Sequence, residues 1–391
     1  MKSVGLIVEY NPFHNGHKYH VKKAKEQTNA DVVIAIMSGN FLQRGEPAII
    51  DKWQRAKAAL LNGVDLVIEL PVKLAVQSAD YFAKGSIYFL QKLGVKTLVF
   101  GTDVALQKSV DYEAFGRQAI AKQKEIEKYF KKLKGTKQRF SKQMSDVYCH
   151  FFPEVSLNFT SPNHLLGLAY ARENAKYQTP MKIIAIPRIG SNFHEIKLSK
   201  NFASAAAIRK NLLAGEKEKV RNMIPSTVFS SLHSLICWED YFKLLKYHII
   251  SVKTSELSQI YQMNEGFEYR LQEKIKEADS FADLVNQLKT KRYTYTRIQR
   301  LLTYVLLNIK KEDFRKQKSN MPFHILGFTD QGRKFLKIKK QKSNILFISK
   351  IGRLHIGMMS VNLKADAIYQ MASFKIPEQN YGRIPIYSGP A

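Results

Sequence analysis

A chain of 391 residues suits two domains, and 45% hydrophobic with 24% charged residues marks an ordinary globular protein, which excludes a disordered or fibrous chain. The unusual number is charge: 62 Lys+Arg against 33 Asp+Glu leave +29, which points to a polyanionic partner unless the lysines serve solubility alone. The excess is uneven, because residues 1–105 hold 13 Lys+Arg and 9 Asp+Glu, a net of +4, and the rest carries +25.

In chain order, the first third alternates short apolar runs with amphipathic stretches. VGLIVEY (Val4–Tyr10) is followed by a helix from about Gly16, then DVVIAIM, a helix near Lys52 to Asn62, VDLVIEL and VKTLVF. Runs of 4–8 residues rich in Val and Ile, spaced by helix-length segments, predict buried parallel strands in βαβ units. MKIIAIP at 181–187 predicts one more strand. Between Val104 and Phe152 a lysine-rich helical pattern predicts an insertion, over 106–150, between strands of one sheet. After about Lys210 helical signals dominate: KNLLAGEKEKVRNM, YFKLLKYHII, SELSQIYQM, GFEYRLQEKIKEA and FADLVNQLKTK. From His324 onward HILGF, NILFISK and IGRLHIG predict a small α/β or irregular element beside the basic run GRKFLKIKKQK.

Cys149 and Cys237 lie far apart, which excludes a disulfide framework and a cysteine-based zinc site and fits a reducing compartment. The start, MKSVGLIVEY, lacks a signal-peptide pattern, and no run approaches the roughly 18 apolar residues that cross a bilayer. A cytoplasmic protein without a membrane partner is expected.

The most informative segment is GLIVEYNPFHNGHKYH, Gly5 to His20. A buried strand runs into an Asn11-Pro12 turn, and the N–H groups and dipole of the following helix make an anion site. His14 and His17 flank Gly16 at a spacing that lets both imidazoles face one phosphate chain, and Gly16 leaves room for a nucleotide to approach. Two other readings stay open at this point. His14, His17 and His20 can be metal ligands, although no cysteine or closely spaced acid accompanies them, or surface histidines without function. The place of the motif at the end of a first strand favours ligand binding, because open α/β sheets bind ligands there. No metal site is assigned.

His14-Asn15-Gly16-His17 resembles the H-x-G-H signature of the nucleotidyltransferase superfamily, whose Rossmann-like members join an acid group to the α-phosphate of ATP. Longer blocks are more specific: VEYNPFHNGHKYH, MSGNFLQRGEPAIIDKW (Met37–Trp53), DLVIELP (Asp65–Pro71), QSADYFAKG (Gln77–Gly85), SPNHLLGLAY (Ser161–Tyr170) and LKTKRYTYTRIQRLL (Leu288–Leu302). Together they resemble the tRNA(Met) cytidine acetate ligase family over nearly the whole chain.

That resemblance implies an ATP- and acetate-dependent ligase. Such an enzyme forms acetyl-adenylate and passes the acetyl group to the N4 amine of the wobble cytidine in the anticodon loop of elongator tRNA(Met), giving N4-acetylcytidine. It implies an ATP site over Ile7, Val8, Glu9, Tyr10, Asn11, Pro12, Phe13, His14, Asn15, Gly16, His17, Lys18, Tyr19 and His20, with Gly101, Asn163, Arg188 and Ile189. His14 and His17 are the implied catalytic pair, stabilising the pentacoordinate phosphorus and the leaving pyrophosphate, with Mg²⁺ bound to the ATP. Ala203 to Arg209 resembles the superfamily's S-x-x-x-I-R phosphate loop but carries alanines at 206 and 207, which leaves Ser204 and Arg209 to reach the phosphates.

The implied fold class is α/β: a Rossmann-like nucleotidyltransferase domain over residues 1–210, then a mostly α-helical basic region over 211–391 that holds tRNA. A homodimer is compatible with the sequence. The block Lys289 to Arg300 interleaves cations with aromatics and hydroxyls, the mix that contacts phosphates and stacks on bases, although its aromatics can equally pack in a core. Lys52, Arg55 and the lysines of 106–150 are further candidate tRNA contacts. A small-molecule adenylyltransferase of the same superfamily and a non-catalytic RNA-binding protein are the alternatives; the charge beyond residue 105 argues against the first, and the intact His14-Gly16-His17 set against the second.

Overall fold

The computed structural model describes residues 1–103, 110–133, 140–153, 161–188, 201–315 and 321–389. The apolar runs of the first half form five strands: β1 (Ser3–Val8), β2 (Val32–Ser38), β3 (Leu66–Leu70), β4 (Thr97–Thr102) and β5 (Lys182–Pro187). They lie in the order β5-β4-β1-β2-β3, and every neighbouring pair is parallel. The chain therefore builds outward from β1 through β2 to β3, then crosses back to place β4 on the other side of β1. A crevice opens at such a reversal, outside the carboxyl ends of β1 and β4.

The period-2 geometry of strands divides their side chains between two cores. Val4, Leu6, Val33, Ala35, Met37, Val67 and Val99 pack on one face with helices α1 (Asn15–Thr28) and α2 (Lys52–Leu60). Val32, Ile34, Ile36, Leu66, Ile68 and Leu98 pack on the other with α3 (Ala79–Lys92). Both faces are covered, which is why these strands read as unbroken apolar runs.

The described part of the lysine-rich segment forms α4 (Tyr112–Ala121), α5 (Gln123–Leu133) and α6 (Phe140–Phe151). These lie between β4 and α7 (Pro162–Asn174), on which α4 packs so closely that a side chain at Gly116 would strike the Ala171 carbonyl. After α8 (Ala205–Leu213) the chain is helical: α9 (Glu239–Ser251), α10 (Phe267–Glu277), α11 (Phe281–Leu288) and α12 (Tyr295–Leu306) share a core that includes Trp238, Tyr241 and Tyr304. SELSQIYQM departs from expectation, with a single turn at Thr254–Leu257, and Lys217–Met223 is a 3-10 helix beyond Gly215, whose φ of +79° ends α8.

The last stretch returns to the first sheet. β6 (Phe323–Thr329) runs antiparallel beside β3, and β7 (Phe347–Ile348) and β8 (Ile386–Ser388) pair with β6. Between them lie α13 (Asp330–Lys342), which is the basic run, and α14 (Ile356–Gln370). IGRLHIG forms no strand; Arg353–His355 is a 3-10 turn leading into α14. No helix among the described residues is long and apolar enough to cross a membrane.

Candidate active site

The H-x-G-H segment closes on itself. His14 is the N-cap of α1: its Nδ1 accepts the Gly16 N–H at 3.0 Å, while Nδ1 of His17 accepts the His14 N–H at 3.3 Å. The two rings stack with centroids 3.8 Å apart. A Cβ at Gly16 would lie 2.8 Å from the His14 ring, so the missing side chain makes room for the capping imidazole as well as for a ligand.

This geometry fixes the protons. With both Nδ1 atoms accepting, each neutral imidazole carries its hydrogen on Nε2 and is a donor there. Burial, with the charges of Arg188 and Arg209 added, lowers the His14 pKa to about 3. Burial, then the His14 ring, holds His17 well below the usual range, and burial with Arg188 brings His20 to about 4. All three are uncharged at neutral pH. The site thus offers neutral N–H donors and a helix N-terminus to an anion.

These donors face a cavity of about 730 Å³ at the carboxyl ends of β1 and β4. Ile7, Val8, Glu9, Tyr10, Asn11, His14, Gly16, His17, Tyr19, His20, Gly101, Asn163 and Arg188 line it. Pro12, Phe13, Asn15 and Lys18 do not: Phe13 is fully buried in the core, the Asn15 amide donates to the Asn201 and Asn222 carbonyls, and Lys18 is exposed. Ile189 lies outside the described residues. Tyr10 adopts φ +53°, a left-handed turn that a bulky residue rarely takes, and its ring packs edge-on against Phe13 and His17 at 4.7 and 4.9 Å.

Asp103, to which no sequence motif points, organises the β4–β5 side. It accepts from Ser161 Oγ at 2.7 Å and Asn163 Nδ2 at 2.9 Å, and pairs with Arg188 at 3.3 Å. On the opposite side, Ser204 caps α8 by accepting the Ala207 N–H and does not line the cavity. Arg209 does line it, with one nitrogen 3.0 Å from the Asn11 carbonyl and another 3.2 Å from Glu46.

The remaining wall comes from segments that carry no nucleotide-binding signature. Gln43 and Arg44, in the loop after β2, and Thr296 and Arg300, on α12, line the same cavity. Gly45 seats that loop under the helix. Its φ is +78°, a Cβ there would lie 2.3 Å from the Arg300 backbone nitrogen, and its carbonyl accepts from Trp238 and Thr303. Arg300 Nε is buried without a hydrogen-bond partner, which leaves an unsatisfied cationic donor at this wall.

Three cationic or aromatic candidates need correction. Lys52 and Arg55 are 0% exposed and cannot touch tRNA. Lys52 pairs with Glu69 at 2.9 Å and Asp366 at 2.6 Å, joining β3 to α14, and His324 of β6 also bonds Glu69. Arg55 donates to the carbonyls of Glu9, Ser38, Gly39 and Ile50, tying together the ends of β1 and β2 that frame the cavity. Tyr293 is not a free stacking platform: its ring is buried, stacked on Phe267 at 4.3 Å and covered by the Arg297 guanidinium at 4.0 Å. Tyr295 stays exposed.

Comparison with known proteins identifies the family. The family model described as HIGH Nucleotidyl Transferase matches residues 1–383. The tRNA(Met) cytidine acetate ligase of Streptococcus pneumoniae serotype 2 is 40% identical over 386 residues, 99% of each chain. That of Streptococcus agalactiae serotype III is 39% identical over 387 residues, covering 99% of this chain and 98% of its own. The crystal structure of apo Thermotoga maritima TmcAL superposes with a TM-score of 0.91 at 29% identity, and the same protein bound with alpha-thio ATP with 0.89, both over 100% of each chain. The chain therefore belongs to the tRNA(Met) cytidine acetate ligase family of HIGH nucleotidyltransferases.

Proposed function

We propose that the protein is a cytoplasmic ligase that uses ATP to activate acetate as acetyl-adenylate, then acetylates N4 of the wobble cytidine of elongator tRNA(Met). The single observation that carries this reading is one cavity with two kinds of wall. One wall is the neutral histidine pair at the start of α1; the other includes Arg44, Thr296 and Arg300, the last two belonging to the block expected to meet tRNA. The names of the relatives and the ATP analogue in the Thermotoga structure supply the substrates.

The chemistry explains why no protein nucleophile is needed. Acetate attacks the α-phosphate, so the protein must bring two anions together and spread the charge that builds on the phosphoryl oxygens. The Nε2–H donors of His14 and His17, the N-terminus of α1 and the Arg209 guanidinium suit that task without proton transfer. Asp103, by holding Asn163 and Arg188, positions donors for the nucleoside end. Mg²⁺ would come with the ATP in this reading and would neutralise part of the phosphate charge.

The second step requires the target base unstacked from the anticodon loop and brought to the adenylate. Entry past α12 supplies that route. ATP–pyrophosphate exchange in the absence of tRNA tests the first step directly: exchange that depends on added acetate supports the reading, and exchange that ignores acetate contradicts it.

A further inference from the structure

Acetyl transfer to an amine must dispose of a proton. The exocyclic nitrogen of cytidine shares its lone pair with the ring, so its N–H becomes strongly acidic only as the new C–N bond forms. A positioned base at that moment contributes about 10²–10⁴-fold. The groups lining the cavity narrow the choice. His14 and His17 present Nε2–H donors, not lone pairs, because their Nδ1 atoms already accept backbone N–H groups. Burial and the Arg188 charge hold His20 at a pKa of about 4, which makes it a weaker base than a free imidazole. Asp80 lines the cavity but is bound to Arg172 at 2.7 Å.

Glu9 differs from all of these. It follows β1 directly, lines the cavity, and is held through Oε1 by the Gln43 N–H at 2.8 Å. Its own carbonyl is fixed by Arg55 at 2.7 Å. Two residues beyond Gln43, Gly45 is pressed against the backbone of Arg300, so the Glu9 carboxylate stands one loop away from α12. A base arriving past α12 meets Glu9 where Arg44, Thr296 and Arg300 line the cavity.

We propose that Glu9 is the general base of the transfer step, taking the N4 proton of the cytidine as that nitrogen attacks the acetyl carbonyl carbon. The C–N bond forms, the C–O bond to the adenylate phosphate breaks, AMP leaves with the electron pair, and the proton passes from N4 to Glu9 and on to solvent. The proposal rests on the acetyl-adenylate reading and gives Glu9 a role in the transfer step beyond its place in the implied ATP site. Burial raises the Glu9 pKa; the Gln43 N–H, Arg44 and Arg209 pull it down and Glu46 pushes it up, with a net rise above the ordinary carboxylate value. Tyr170 and Arg55 are its other ionisable neighbours.

Glu9→Gln keeps the Gln43 bond and removes the base. Two rates are compared across pH: acetate-dependent ATP–pyrophosphate exchange without tRNA, and acetyl transfer to a tRNA(Met) transcript. Exchange reports whatever Glu9 contributes to the ATP site, and transfer is expected to fall by about 10²-fold or more beyond any loss of exchange. Wild-type transfer should rise with pH through the raised Glu9 pKa and level off, E9Q transfer should be flat there, and Glu9→Asp should keep the rise at a lower plateau. Unchanged transfer in E9Q, or a parallel fall of both rates, overturns the proposal. Should E9Q not fold, E9D carries the same test, with equal losses in both rates as the overturning result. Wild-type protein without acetate-dependent exchange overturns the adenylate reading itself, and the Glu9 proposal with it.

Discussion

Helix α2 and the segment 289–300 are both short, cation-bearing stretches that read alike in sequence, yet they use their charges in opposite ways. In α2, Lys52 and Arg55 are removed from water entirely, and each is satisfied: Lys52 by two carboxylates, Arg55 by four backbone carbonyls. In 289–300, Arg292 is exposed, with its ion pair to Glu265 open to solvent, while Arg300 turns inward to the cavity. Charge in a sequence therefore names a candidate surface without saying whether it is a surface. What separates the two cases is the set of partners, and those come from far along the chain: Asp366 is 314 residues from Lys52.

The sharpest way to break this contrast is to remove the buried cations. Lys52→Met leaves Glu69 and Asp366 without their counter-ion, and Arg55→Met leaves carbonyls of the β1 and β2 ends unpaired. Each is expected to cost about 3–5 kcal/mol of stability in denaturant unfolding. Near wild-type unfolding would put these residues back among candidate surface contacts. The histidine pair comes next. His14→Ala or His17→Ala should lower acetate-dependent ATP consumption by about 10²–10³-fold with the fold retained, as removal of one transition-state donor does. Unchanged turnover would remove the pair from the mechanism.

Charge reversal at Lys291, Arg292 and Arg297 should act on the other side of the contrast. Stability should fall by less than it does on removing either buried cation, since the lost contacts are the Arg297–Tyr293 stacking and the exposed Arg292–Glu265 pair, while the slope of log affinity against log salt for tRNA flattens by roughly 0.7–0.9 for each phosphate no longer neutralised. An unaltered slope means that this segment does not bind RNA. The last test is pH. Because His14 and His20 have folded pKa values of about 3 and about 4, below an unfolded value near 6.5, their protonation favours the unfolded chain. Their contribution is complete above about pH 6.5 and is lost as pH falls toward those values, so the melting temperature should decline on acidification, and less so in a His14→Gln variant.

Much of the fold is legible in the sequence because it depends on local pattern. Strands β1 to β5 follow from apolar runs whose alternate residues fill two cores, and a helix beginning near Gly16 follows from the Asn-Pro turn after β1, although its cap at His14 does not. The neutral state of the histidines is not legible, since it depends on both Nδ1 atoms being occupied and on burial by distant segments. Asp103 leaves no mark either, because a single carboxylate after a strand has no signature; its partners Ser161, Asn163 and Arg188 come together only when β4, α7 and β5 assemble. Arg300 is visible as a cation of the basic block, but that it lines the cavity emerges only when α12 packs on the loop at Gly45.

The central claim is that one cavity joins adenylate formation to cytidine acetylation. Incubation with ATP, carbon-labelled acetate and elongator tRNA(Met) transcript, followed by nucleoside analysis, tests it most directly. Label in N4-acetylcytidine at the wobble position is the predicted result; label confined to a small-molecule product, or absent from the tRNA, would contradict it.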